Sequence, residues 1–245
     1  MSQNIYDEAV EIARRTMVLF FVVDTSGSMV GEKIGSVNAA VQDVIPEIKD
    51  ISDDNADAEI KIAALEFSDG AKWITHAPVK VSDFRWNRLT AGGITDFGVA
   101  CKELNNKLSK SGFMNEASGS FAPAIFLLSD GQPTDDYQKA LEDLWKNKWF
   151  KAALKVAVAI GDVGEEGMVA LRAFTGNQEA VLTVHTPEAL KKMIRFVSVT
   201  ASQIASKSST AGSSGTNNNR QEAMIKAIEQ VKEEDLGSVE DSEWK

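Results

Sequence analysis

Three oxygen-bearing side chains on alternate positions, Asp24, Ser26 and Ser28, close the apolar run of FFVVDTSGSMVGEK, residues 20–33. Gly27 lets the chain turn tightly between the serines, so the group suits a helix cap, a phosphate cradle, a nucleophile site or a seat for a hard metal ion. Two other stretches bear on the choice. AIFLLSDGQPTDD ends a second apolar run on Asp130, and TAGGITDFG places two glycines before Thr95, where a helix starts. Brought to one sheet edge, Asp24, Ser26, Ser28, Thr95 and Asp130 make an all-oxygen set without sulfur or imidazole. Such a set suits Mg²⁺, with Mn²⁺ a close substitute. An octahedral ion takes six ligands, so three hydroxyls and one or two carboxylates leave a position for water or an outside group.

The competing use of Asp24 is enzymatic. In a Mg²⁺-dependent phosphohydrolase it would attack phosphorus, and a second acid two residues later would protonate the leaving group. That position holds Ser26, whose hydroxyl is no general acid near neutral pH, and no lysine is evidently placed to receive a phosphate. His76, on an expected edge hairpin, and His185, after the last expected strand, suggest no triad, and the chain has no G-x-x-x-x-G-K-[ST] phosphate loop. The expected activity is therefore binding, not catalysis.

A parallel sheet must position these residues. Apolar runs at Met17–Val23, Ile60–Phe67, Ala124–Leu128, Val156–Ile160 and Val181–Val184 alternate with helical patterns at Lys33–Ile48, Phe97–Leu108, Gln138–Phe150, Glu165–Phe174 and Pro187–Ile204. The pattern predicts a doubly wound α/β fold, with a mostly parallel central sheet, helices on both faces and Thr186 as N-cap of the last helix. Lys72–Thr75 follows Ile60–Phe67 without a helix between, which predicts one antiparallel edge strand turning at Asp69-Gly70. In such sheets ligands bind at the carboxyl ends of strands, where the strand order reverses, and Asp24 and Asp130 both stand at such ends.

Of the 245 residues, 43% are hydrophobic and 25% charged, which suits one domain with extensions. The expected organisation is an N-terminal helical extension over 1–15, a domain over 16–205, a Ser/Gly/Asn linker over 206–219 and an acidic tail over 220–245. The tail carries a short apolar stripe of Ala223, Met224, Ile228 and Val231, a helix that either packs back on its domain or docks a partner. A net charge of −10 argues against nucleic acid as a partner. The single cysteine, Cys101, rules out an internal disulfide framework and points to the cytoplasm. Arg14-Arg15 before MVLFFVV imitates a secretion signal, but Asp7, Glu8 and Glu11 precede it and the run stops at Asp24, so no membrane association is expected.

DTSGS, the GGITD loop and LLSDGQPTD resemble, in order, the three motifs of the von Willebrand factor type A (VWA) domain, whose metal-ion-dependent adhesion site uses D-x-S-x-S, a threonine and an aspartate. The resemblance covers roughly residues 16 to 205. FFVVDTSGSM and SDGQPTDD are further similar to bacterial VWA proteins associated with tellurium resistance, some of which carry a cysteine-rich zinc module that a chain with one cysteine lacks. The resemblance implies that Ser26 and Ser28 bind the ion directly, Thr95 directly or through water according to state, and Asp24 and Asp130 largely through water. It also implies that a partner's Glu or Asp takes the open position, and that a protein kinase, a phosphatase or an ATPase of a stress-response system is among the partners.

Around the site, Met29 and Val30 follow Ser28, and FRWNRL precedes the GGITD loop, so Met29, Val30, Arg85, Trp86 and Arg88 form a candidate partner-binding rim. Phe84 and Trp86 either join that rim or pack beneath the loop. Trp145, Trp149 and Phe150 share a helix and are expected in the core. Asp96 is read as the cap of the helix after Thr95. Asp135 and Asp136 complement the dipole of the next helix and are left out of the metal shell.

Overall fold

The computed structural model describes residues 14–207 and 217–235. Most of the expected N-terminal extension, much of the linker and the end of the tail lie outside them.

Five parallel strands and two short antiparallel ones form a single sheet. They are β1 (Arg15–Asp24), β2 (Ala58–Ser68), β3 (Gly70–Trp73), β4 (Val79–Lys80), β5 (Ala124–Ser129), β6 (Leu154–Ile160) and β7 (Val181–Val184). The order is β3-β2-β1-β5-β6-β7. Where one antiparallel edge strand is expected there are two, β3 and β4, paired with opposite ends of β2. The hairpin turns where predicted, with Gly70 at a φ of +94° that side chains avoid.

Helices cover both faces, which is why β1, β5 and β6 are almost wholly buried. Met17, Leu19, Phe21 and Val23 pack with α1 (Glu32–Asp53) and α6 (Pro187–Lys207). The alternate residues Val18, Phe20 and Val22 pack with α2 (Phe97–Lys107), α3 (Gln138–Lys146), α4 (Lys148–Ala152) and α5 (Gly164–Thr175). The expected helix Gln138–Phe150 is two helices. Asn147 breaks it with extended backbone, and its side chain accepts from the amides of Trp149 and Phe150 while donating to Asn105 and Leu108. Phe150 is fully buried; Trp145 and Trp149 are half-buried against the same core. Thr186 caps α6 as predicted, its hydroxyl accepting from Ala189.

Two boundaries move. Arg15 begins β1 instead of ending a helix, and the linker's Asn217–Asn219 open a final helix, α7 (Asn217–Asp235). Of the predicted stripe, Met224 and Ile228 are buried, joined by Ile225, while Ala223 is exposed. The described part of the tail helix therefore packs on its own domain. Gln221 explains its position: β7 reaches only Ala157 on β6, and the Gln221 amide accepts from the Lys155 N–H and donates to the Lys155 carbonyl in place of a strand neighbour.

The Lys155 side chain is 4% exposed, with Nζ donating to the carbonyls of Phe150 and Ala153 beneath the rings of Trp145 and Phe150. Burial pushes its pKa from 10.5 down to about 8, against the pull of those carbonyls and rings. Between these values the unfolded chain binds the proton that the folded chain releases. The contribution of Lys155 to stability should thus rise from about pH 8 to pH 10.5, by up to about 3 kcal/mol, while the buried Cys101 thiol, pushed up from 9.0, acts in the opposite sense above that pH. Denaturant unfolding across that range should show the wild type gaining stability relative to Lys155→Met.

Candidate metal centre

β1 connects through α1 to β2 on one side, and the chain later crosses to β5 on the other, so the strand order reverses between the carboxyl ends of β1 and β5. Val23 pairs with Leu128, which sets Asp24 beside Ser129, and the Ser129 hydroxyl donates to Asp24 Oδ2 at 2.6 Å. Asp24 Oδ1 accepts the Ser26 N–H at 2.8 Å. Both carboxylate oxygens of this fully buried residue thus hold loop atoms.

A single 3₁₀ turn, Gly27–Met29, brings the two serines together with their Oγ atoms 3.1 Å apart. Ser28 Oγ donates to Asp130 Oδ1 at 2.7 Å, and Lys33, in the first turn of α1, donates to Asp130 Oδ2. The GGITD loop docks on the DTSGS loop through Gly27 N–H to the Gly93 carbonyl and Gly92 N–H to the Thr25 carbonyl. Gly93 has a φ of +85°, and a Cβ there would lie 2.7 Å from the Asp69 carboxylate, which accepts the Ile94 N–H. Thr134 clamps Thr95 in both directions, its hydroxyl accepting the Thr95 N–H and its own N–H donating to the Thr95 carbonyl.

The five predicted site residues therefore converge. Gly131 defines their centre: a Cβ built on it would stand 3.3 Å from Ser28 Oγ, 3.7 Å from Thr95 Oγ1 and 4.0 Å from Asp24 Oδ2. Among the described residues no three His, Cys, Asp or Glu side chains gather as a metal cluster; the oxygens that meet here are hydroxyls and the two carboxylates of Asp24 and Asp130. Burial pushes the Asp24 carboxyl above its ordinary 3.8, hydrogen bonds from Ser129 and Ser26 oppose this, and the Asp130 charge adds to the rise. A buried anion beside a second anion and a cluster of hydroxyls is a donor set that a hard divalent ion fits.

The rim differs from expectation. Met29 is fully buried in the core. Trp86 is half-buried against Phe21 and Phe84 and donates its indole N–H to Asn38, so it supports the loop, as does the buried Phe84. Asn38 also bonds the Leu89 backbone twice, an anchoring role that no sequence signal announced. Arg85 is exposed and folds onto the carbonyls of Ser82 and Phe84; Arg88 is exposed on the same segment. Val30 is 61% exposed, as predicted, and Ile94 at 51% joins it from the GGITD loop.

The acids outside the cluster also change roles. Asp96 makes no cap for α2; its carboxylate accepts the Gly70 N–H of the β2–β3 turn. Asp135 caps α2 instead, accepting from Gly98 and Val99, so it serves a helix distant in sequence and not the next one. His76 and His185 are exposed.

No family model matches the chain, and no curated protein matches its sequence. Solved structures match its fold. A von Willebrand factor type A protein from Catenulispora acidiphila superposes with a TM-score of 0.54 at 17% identity, over 76% of this chain and 42% of that one. The ArnB paralog VWA2 from Sulfolobus acidocaldarius gives 0.53 at 18%, over 74% and 44%. The vWF domain of the type V pili tip protein Mfa5 from Porphyromonas gingivalis gives 0.58 at 11%, over 79% and 97%. The chain spans less than half the length of the first two and nearly all of the third.

Proposed function

We propose that this chain, which has the von Willebrand factor type A fold, is a non-enzymatic, Mg²⁺-dependent protein-binding module that captures a Glu or Asp side chain of a partner. The observation that carries the reading is the convergence of Ser26, Ser28, Thr95, Asp24 and Asp130 around Gly131 at the switch point of the sheet. Ser26, Ser28 and Thr95 would hold the ion, with Mn²⁺ able to replace Mg²⁺, while Asp130 holds the Ser28 hydroxyl, Asp24 holds the Ser26 backbone and both acids balance charge. The ion supplies a Lewis-acidic point that hydroxyls leave incompletely neutralised. Exposed Val30 and Ile94 add an apolar margin to the face that receives the partner.

The phosphohydrolase alternative draws no support from Asp24, which is fully buried with both oxygens already bonded and so is poorly placed to attack phosphorus. Among the described residues no helix is long and apolar enough to cross a membrane. The wording of FFVVDTSGSM and SDGQPTDD supports a role in a tellurium-resistance or other stress system of bacteria, with a kinase, phosphatase or ATPase as partner, and the single cysteine supports the cytoplasm as its place.

An array of peptides in Glu/Gln and Asp/Asn pairs tests the proposal. The acidic member of a pair should bind in Mg²⁺ and be released by EDTA, and Ser26→Ala should bind neither. Equal binding of both members in EDTA would refute the reading. Sustained Mg²⁺-dependent hydrolysis of p-nitrophenyl phosphate, lost in Asp24→Asn, would replace it with the enzymatic one.

A further inference from the structure

Lys33 holds an unusual place beside the site. Its ammonium lies 2.5 Å from Asp130 Oδ2, and the Asp130 side chain is shielded completely while that of Lys33 keeps 22% exposure. The other Asp130 oxygen accepts the Ser28 hydroxyl, so one carboxylate joins this lysine to a candidate metal ligand. Resting on the metal-site reading above, we propose that Lys33 is a specificity-determining residue, whose charge leaves the loaded site with one positive charge for a single partner carboxylate to neutralise.

The charges carry the inference. The ion keeps its Lewis acidity toward an open position, but Asp24 and Asp130 bring the net charge of the loaded site to zero, which weakens its longer-range pull on an anion. Lys33 restores the surplus from within the chain. The nearby Glu32 is exposed on the first turn of α1, and Asp69 is engaged by the Ile94 N–H, so neither replaces Asp130 as the lysine's partner. Lys33 also repels the metal that it helps to make selective. Its presence should therefore weaken metal binding and strengthen carboxylate binding, two effects of opposite sign that a purely structural ion pair would not produce.

The test uses the full chain with Mn²⁺ and acetate as probes. Mn²⁺ affinity is read by electron paramagnetic resonance. Acetate binding to the Mn²⁺-loaded protein is read by water-proton relaxation as acetate displaces metal-bound water. Lys33→Met should bind Mn²⁺ about tenfold more tightly and acetate about tenfold more weakly, the order expected for one unit charge a few ångströms away when solvent screens it as bulk water does. Lys33→Arg should keep both constants near those of the wild type. If the wild type binds Mn²⁺ but Lys33→Met leaves both constants unchanged, or weakens both, the proposal falls while the metal site stands. If the wild type binds no Mn²⁺, the metal-site reading falls and takes the proposal with it.

Discussion

Asp24→Asn should remove most of the stabilisation of the chain by Mg²⁺ without unfolding it. An asparagine of the same shape can still accept the Ser26 N–H and meet the Ser129 hydroxyl, so the two loops keep their anchors. It brings no charge to balance the ion, and losses of about 100-fold in metal affinity follow from changes to such supporting groups. At a Mg²⁺ concentration of about 100 times the Kd, the wild type should gain about 2.7 kcal/mol. For a domain of this size that corresponds to a shift of roughly 5 to 10 °C in Tm, and the variant, its Kd then equal to the Mg²⁺ concentration, should keep only about 0.4 kcal/mol of the gain.

The metal-free proteins should differ in the opposite sense. Burial raises the Asp24 pKa above 3.8, so the folded chain holds that proton more tightly than the unfolded chain. Metal-free wild type should accordingly lose stability as the pH rises from 3.8 through the folded value, and this component should be missing in Asp24→Asn. Thermal melts in EDTA and in Mg²⁺ across pH separate the two effects. A Mg²⁺ shift as large in the variant as in the wild type would remove Asp24 from the site.

The fold and the meeting of Asp24, Ser26, Ser28, Thr95 and Asp130 at one sheet edge were legible because each rested on a strong local signal. Buried parallel strands announce themselves as continuous apolar runs, and the strand-end acids need only the topology of a doubly wound sheet to meet. What escaped depended on distant partners. Asp96 and Asp135 both stand where a local cap is the natural reading, yet each serves a backbone amide 26 or 37 residues away. Asn147 sits within an otherwise regular helical pattern, and only its bonds to Asn105 and Leu108 show why the helix breaks there. The rim was legible only in part: Val30, Arg85 and Arg88 are exposed as expected, while Met29 and Trp86 turn inward, since a loop residue can point into the core as readily as out of it. Ile94 carried no periodic signal, since periodicity does not exist in irregular chain.

Gly131→Val should block the metal without disturbing the fold. The backbone at Gly131 does not have the positive φ that penalises side chains, so the cost of valine there is crowding against Ser28 and not backbone strain. Its Cβ, however, would stand 3.3 Å from Ser28 Oγ, and its methyl groups would extend from the point around which the Ser28, Thr95 and Asp24 oxygens gather. No metal can share that volume. Stability in EDTA should fall by about 1 to 3 kcal/mol, the cost of overpacking, with the domain still folded, while Mn²⁺ binding and the Mg²⁺ shift in Tm disappear. Gly131→Ala should fall between the two, because its single methyl asks Ser28 to yield by only a few tenths of an ångström. Gly93→Ala supplies the contrast: it meets a positive φ and the Asp69 carboxylate at 2.7 Å, so it should destabilise the chain even in EDTA. If Gly131→Val still binds Mn²⁺ with wild-type affinity, the ion does not sit among these hydroxyls, however well they converge.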